Sequence, residues 1–167
     1  MQERKQIVWQ VLSPAIIFAL SAVWHFLYDW IPIMPVGWVA PVAESVWEHL
    51  KIVWYPSLLW WCIFPRTPAK ERWTMAVAVA TLGGVWMLLY YYLLHAGLGL
   101  SVAWLWVDLV AEFLALVTAE ISVLVFWRAV GYRSWWFWLA LALATVAVVS
   151  MAVLTHYYPD LPVFFRY

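Results

Sequence analysis

Between Glu44 and Lys51 the chain places two carboxylates, an imidazole and an ammonium: Glu44, Glu48, His49 and Lys51. Carboxylates and imidazoles are the nitrogen and oxygen ligands that hold Zn²⁺, Mn²⁺ or Fe²⁺, and they are also the general acids and bases of hydrolytic sites. On a helix Glu44 and Glu48 share a face, with Lys51 one turn further along it. The neighbours Glu48 and His49 point about 100° apart on such a helix, so one of them suits an ion while the other orients a ligand from behind. His25 adds a second imidazole, and Asp108 and Glu112 add two more carboxyls one helical turn apart. From types and spacing, His25, Glu48 and His49 are the expected metal ligands, and Glu44 and Asp108 the expected catalytic carboxylates. The competing reading is an interface network, with Glu48 paired to Lys51 and His25 to Asp29.

The elements that must position these groups are apolar. Hydrophobic residues make up 68 % of the chain, charged residues only 11 %, and mean hydropathy is +0.86. A soluble domain carries about 25 % charged residues, so the 167 residues read as one integral membrane domain. The 16 tryptophans suit the aromatic belts of the two membrane–water interfaces. A single cysteine, Cys62, excludes an internal disulfide or a thiolate metal cluster within one chain. Zero formal net charge provides no long-range field to attract nucleic acid.

Apolar stretches at about 7–28, 42–64, 73–95, 101–127 and 135–158 are each long enough to cross about 30 Å of hydrocarbon. The fold class predicted is therefore an all-α bundle of five transmembrane helices spanning 1–167. Pro14 lies inside the first span, and Pro41 suits the first turn of the second. Five spans put the termini on opposite sides. Arg4, Lys5, Arg66, Lys70, Arg72, Arg128 and Arg133 then share the N-terminal side, and only Lys51 and Arg166 fall opposite. The positive-inside rule makes that orientation N-inside and C-outside, as expected of a multi-pass protein of the cytoplasmic membrane, with the lipid bilayer as its first partner.

This topology gathers the polar residues. His25, His49, His95 and His156 all fall in the outer half, with Asp29, Glu44, Glu48, Asp108 and Glu112. Five acids facing Lys51 alone cannot all stay ionised in a low dielectric, so protonation, charged histidines or a bound cation must neutralise them. Ionisable groups inside a span cost roughly 2.5–3.5 kcal/mol each on the insertion scale. The small face Ala111, Ala115 and Ala119 would let the fourth span pack closely and turn its acids inward. His95 and His156, at helix ends beside aromatics, read as interface material. No nucleophile elbow, P-loop, HExxH or GxGxxG is present.

His25-Phe-Leu-Tyr-Asp-Trp30, followed by Pro41-Val-Ala-Glu-Ser-Val-Trp-Glu-His-Leu-Lys51, resembles an uncharacterised bacterial family of small multi-pass membrane proteins. Its hallmark is a V-N-E-S-x-W-E-H-L-K segment after an H-F-x-Y-E-W helix end. The resemblance covers essentially the whole chain and implies motif residues His25, Glu44, Trp47, Glu48, His49, Lys51 and Asp108. Ala43 stands where that family has Asn, and Asp160 where histidine is common. The family's function is unknown, so the resemblance implies no activity.

Three functions fit these observations. The first is a divalent-metal site, hydrolytic in use, that opens to the outer face and takes lipid or envelope-derived substrates. The second is a cation- or proton-transport component running along Glu112 and Glu120. Five helices leave little room for a pore, so that reading requires a homo-oligomer or a membrane-protein partner. The third is a structural subunit whose polar cluster only locks helices together.

Overall fold

The computed structural model describes residues 2–63, 68–157 and 159–164. Five long helices form the bundle: α1 (Gln2–His25), α4 (Val46–Ile63), α5 (Ala69–Tyr92), α6 (Leu105–Val130) and α7 (Trp135–His156). Two short helices, α2 (Leu27–Trp30) and α3 (Met34–Val39), cap one end between α1 and α4. A π-helical turn, Leu93–Gly97, continues α5, and a 3₁₀ turn, Pro162–Phe164, follows α7. The long helices alternate in direction: the end of α1 meets the start of α4 at His25 and His49, and the end of α5 meets the start of α6 at His95 and Asp108.

Four segments are long and apolar enough to cross a membrane: Trp9–Trp30, Ala69–Gly97, Leu105–Val130 and Trp135–His156. The expected fifth span is not among them. The expected span of 42–64 begins as helix only at Val46, and Phe64 lies outside the described residues. Its 18 described helical residues cover about 27 Å and include Glu48 and Lys51. Pro41, expected in its first turn, lies in the preceding loop instead. The helix starts where Ser45 Oγ accepts the Glu48 amide at 3.3 Å, a serine N-cap with glutamate at the third position. Arg66 and Arg166, counted in the charge asymmetry, and Tyr158, the expected end of the last span, lie outside the described residues, as do the side chains of Arg4 and Lys5.

α5 packs against α4, α6 and α7, and α4 lies between α5 and α1. α4 buries Leu50, Ile52, Val53, Trp54, Pro56 and Trp61. The outward faces of α6 and α7 are apolar, with Leu109, Phe113, Val125, Trp138, Val146 and Val149 exposed, which suits lipid contact.

Three local devices make the packing close. A Cβ on Gly83 would lie 2.8 Å from Val53 Cγ1, so α5 approaches α4 to a distance only glycine permits. Ala111, Ala115 and Ala119 are buried along α6, as the small face predicts. Pro56 has no N–H, so the Ile52 carbonyl loses its helical donor. Ser21 Oγ from α1 donates to that carbonyl at 2.6 Å, and the buried acceptor is satisfied across the helix pair.

Candidate metal centre and its cavity

His49 lies in the first turn of α4, where its Nδ1 is 2.8 Å from the Ser45 carbonyl. A carbonyl only accepts, so Nδ1 carries the proton and the neutral ring turns its Nε2 lone pair outward. That Nε2 faces Glu44 Oε2 at 3.3 Å, and His25 Nε2 faces Glu44 Oε1 at 3.5 Å. The two rings lie 5.2 Å apart, centroid to centroid. One donor atom from each of His25, Glu44 and His49 falls within 4.8 Å of the others. First-row metals bind nitrogen and oxygen at about 2.0–2.2 Å, so side-chain shifts below about 1 Å would close the three around an ion. A carboxylate set against imidazole lone pairs is balanced by a proton on a ring or on the carboxyl, or by a cation among them.

Glu44 belongs to the loop before α4, and its side chain is 65 % exposed. The triad therefore sits at the mouth of a cavity of about 460 Å³ between α1, α4, α5 and α6. The walls are mainly apolar, with Phe18, Ile52, Met87, Tyr91 and Leu109 among them. Asp108 and Glu112 line one wall from successive turns of α6. Glu112 is 6 % exposed; the Ser21 hydroxyl faces its carboxyl, yet Oε1 has no hydrogen-bond partner among the described residues.

Glu48, expected as a ligand beside His49, is turned to the opposite side of α4. It is fully buried and pairs with the fully buried Lys51 at 2.8 Å. Lys51 Nζ also donates to the carbonyls of Gly37 and Ala40, at 2.7 and 3.3 Å, and contacts Thr155 Oγ1 at 2.5 Å. Glu48 accepts from the Val42 amide at 2.9 Å and from Thr155 Oγ1 at 3.0 Å. The pair thus ties α3, the loop after it and α7 onto α4, as the interface-network reading had it. The other half of that reading is replaced: His25 faces Glu44 rather than Asp29, which is exposed. Trp47 packs on Phe164, with centroids 5.2 Å apart, away from the cavity.

His95 is more engaged than its position at a helix end suggests. The π-helical turn carries it over the start of α6, with Nδ1 2.9 Å from the Leu100 carbonyl and Nε2 2.8 Å from Asp108 Oδ1. With acceptors on both sides, either the ring holds two protons or the Asp108 carboxyl holds one. Tyr91, from the cavity wall, packs on the ring at 4.6 Å. Ser21 and Tyr91 also line the cavity unannounced by any motif, although Ser21 lies one helical turn before His25 and so shares its face. His156 accepts from the Trp38 indole at 3.2 Å, in an exposed position away from the cavity. Glu120, deeper along α6, accepts from Ser13 and, at 3.2 Å, from Trp61 Nε1.

Compared with known protein families, residues 1–167 match the Family of unknown function (DUF6512). The chain belongs to that family. No curated protein and no solved structure matches it. In this DUF6512 chain, His25, Glu44, His49, Asp108 and Glu112 share one cavity, whereas Glu48, Lys51 and Trp47 do not line it.

Proposed function

We propose that the chain is a membrane-embedded, divalent-metal-dependent hydrolase that acts on amphiphilic substrates entering its cavity. The observation that carries this reading is the convergence of His25, Glu44 and His49 donor atoms within 4.8 Å at the cavity mouth. Three protein ligands with an exposed face are the usual form of a catalytic site, because a coordination position stays open for water. Bound there, Zn²⁺, Mn²⁺ or Fe²⁺ would supply Lewis acidity and a hydroxide-like water at neutral pH. The Ser45 carbonyl fixes the His49 tautomer for this purpose. Asp108, held through Oδ1 by His95, lines the same cavity and would be the carboxylate to accept a proton from such a water. The apolar walls hold the substrate body and keep bulk water out. By the positive-inside rule the cavity opens on the outer face of the cytoplasmic membrane, with the N-terminus inside.

A second reading, movement of protons or cations along α6, draws on Glu120, whose Oε2 is also without a partner among the described residues. Glu120 does not line the cavity, and its Oε1 is held by Ser13 and Trp61, which favours the hydrolase.

Elemental analysis of detergent-purified protein tests the site. Near-stoichiometric transition metal is expected in the wild type, with a loss of at least about tenfold in affinity for His25→Ala, His49→Ala and Glu44→Gln. If wild type binds no metal after incubation with Zn²⁺, Mn²⁺ and Fe²⁺ in turn, the reading is wrong.

A further inference from the structure

The cavity is chemically lopsided. Glu44, Asp108 and Glu112 line it, and among the described residues no lysine or arginine does. Lys51, on α4 close by in sequence, is committed to Glu48, Thr155 and two backbone carbonyls on the far side of its helix. His25 and His49 answer Glu44, and His95 answers Asp108. Glu112 alone has no cationic partner: it lines the cavity at 6 % exposure, and its Oε1, closed off from water, has no hydrogen-bond partner among the described residues. A carboxyl oxygen withdrawn from water and left unpaired costs about 1–3 kcal/mol or more, a cost a ligand carrying donors would recover.

The position of Glu112 specifies the ligand further. It shares a face of α6 with Asp108, four residues away, where side chains lie about 5–6 Å apart at Cβ. A compact group with several donors and a positive charge fits between two such carboxyls, and a primary ammonium has three donors and no acceptor. Away from these carboxyls and the triad at the mouth the walls are mainly apolar, and 460 Å³ lies within the roughly 300–1,000 Å³ of sites that hold molecules of drug size. The lining residues Ala22 on α1, Phe26 just after it and Leu109 on α6 are exposed on the apolar outer surface, so a chain can enter from lipid.

We infer that the cavity binds a single-chain amphiphile bearing a primary ammonium, with the ammonium on Glu112 and Asp108 and the chain between α1 and α6. This names the substrate class of the proposed hydrolase and rests on that reading only for the metal at the mouth. Ammonium recognition itself needs no metal.

The test is native mass spectrometry of the full chain in detergent micelles, stripped of metal with EDTA and titrated with decylamine, decanol or decanoate at equal micellar mole fractions. Decylamine is expected to bind one per chain, at least about tenfold more tightly than the other two, a difference of about 1.4 kcal/mol. Glu112→Gln should erase that preference, and Ala22→Phe, which narrows the mouth, should weaken decylamine binding without touching a carboxyl. Leu114→Phe, on the exposed face of α6, should leave binding unchanged. Thermal unfolding of each variant confirms that it is folded, and Ala22→Phe decides the matter if Glu112→Gln is not. Equal binding of the three ligands, or an undiminished preference in Glu112→Gln, would overturn the inference. Because the protein is metal-free throughout, that failure is separate from a failure of the metal site.

Discussion

Glu48 and His49 are adjacent in the chain and serve opposite sides of α4. His49 looks into the cavity toward Glu44 at 3.3 Å, while Glu48 is closed into a dry contact with Lys51 at 2.8 Å. The angular step of about 100° per residue separates a candidate chemical site from a structural lock within one dipeptide.

The two residues should therefore fail differently. Glu48→Gln leaves Lys51 buried without a counter-charge, and breaking such a pair costs about 3–5 kcal/mol. The double variant Glu48→Gln/Lys51→Met removes the orphaned charge and should recover a large part of that loss. His49→Ala should weaken zinc binding at least about tenfold with a smaller effect on unfolding. Parallel zinc titrations and unfolding curves in detergent read both axes; loss of metal in Glu48→Gln at unchanged stability would show the assignment to be reversed.

Ser21 gives a second prediction. Its hydroxyl is the donor seen on the Ile52 carbonyl that Pro56 leaves without a helical N–H. Ser21→Ala should cost about 1–3 kcal/mol, the penalty of an unsatisfied buried acceptor. Pro56→Ala restores the N–H, so the same serine change made in a Pro56→Ala background should cost much less. A double-mutant cycle by chemical denaturation measures the coupling, and additive losses would rule out the carbonyl as the link.

The helical class, the apolar outer surface and the gathering of polar groups at one end were legible because they follow from hydropathy and alternating direction alone. The number of spans was not. Glu48, Lys51 and four tryptophans in α4 (Trp47, Trp54, Trp60 and Trp61) lower its hydropathy, and with more than half of its residues buried it needs little lipid-facing surface. The Ser45-x-x-Glu48 cap was present as a signal and places the helix start at Val46, five residues past Pro41. The choice of Glu44 over Glu48 as the carboxylate beside the imidazoles turns on that start. A helix already running at 44 would have put both glutamates on one face, whereas the loop conformation frees Glu44 to reach two histidines. The pairing of His95 with Asp108 depends on the π-helical turn, which nothing in the local composition announces.

Glu120 distinguishes a structural acid from a relay. Its Oε1 accepts from Ser13 and Trp61, and its Oε2 has no partner among the described residues. A glutamine can keep both accepted bonds through its carbonyl oxygen, so Glu120→Gln should change stability by less than about 1 kcal/mol, while Glu120→Ala strands two buried donors at about 1–3 kcal/mol each. If reconstituted vesicles show a proton flux that Glu120→Gln abolishes without loss of stability, the acid carries protons and the transport reading prevails.

Gly83 and Gly84 are neighbours on α5 that face different surroundings, and substituting each tests the packing directly. A Cβ at Gly83 would meet Val53 Cγ1 at 2.8 Å, whereas at Gly84 the nearest atom, Leu50 Cδ2, is 3.8 Å away. Gly83→Ala must push α4 and α5 apart or force Val53 off its rotamer, at about 1–3 kcal/mol. Gly84→Ala makes an ordinary contact and gains helix propensity of up to about 1 kcal/mol, so it should be neutral or stabilising. A smaller partner should rescue the first variant: Gly83→Ala combined with Val53→Ala gives the new methyl room, and the pair should lose less than the sum of the single losses. Unfolding midpoints of the four proteins decide it. Equal effects of the two glycine substitutions, or strict additivity at positions 53 and 83, would mean that α4 and α5 do not meet at this point.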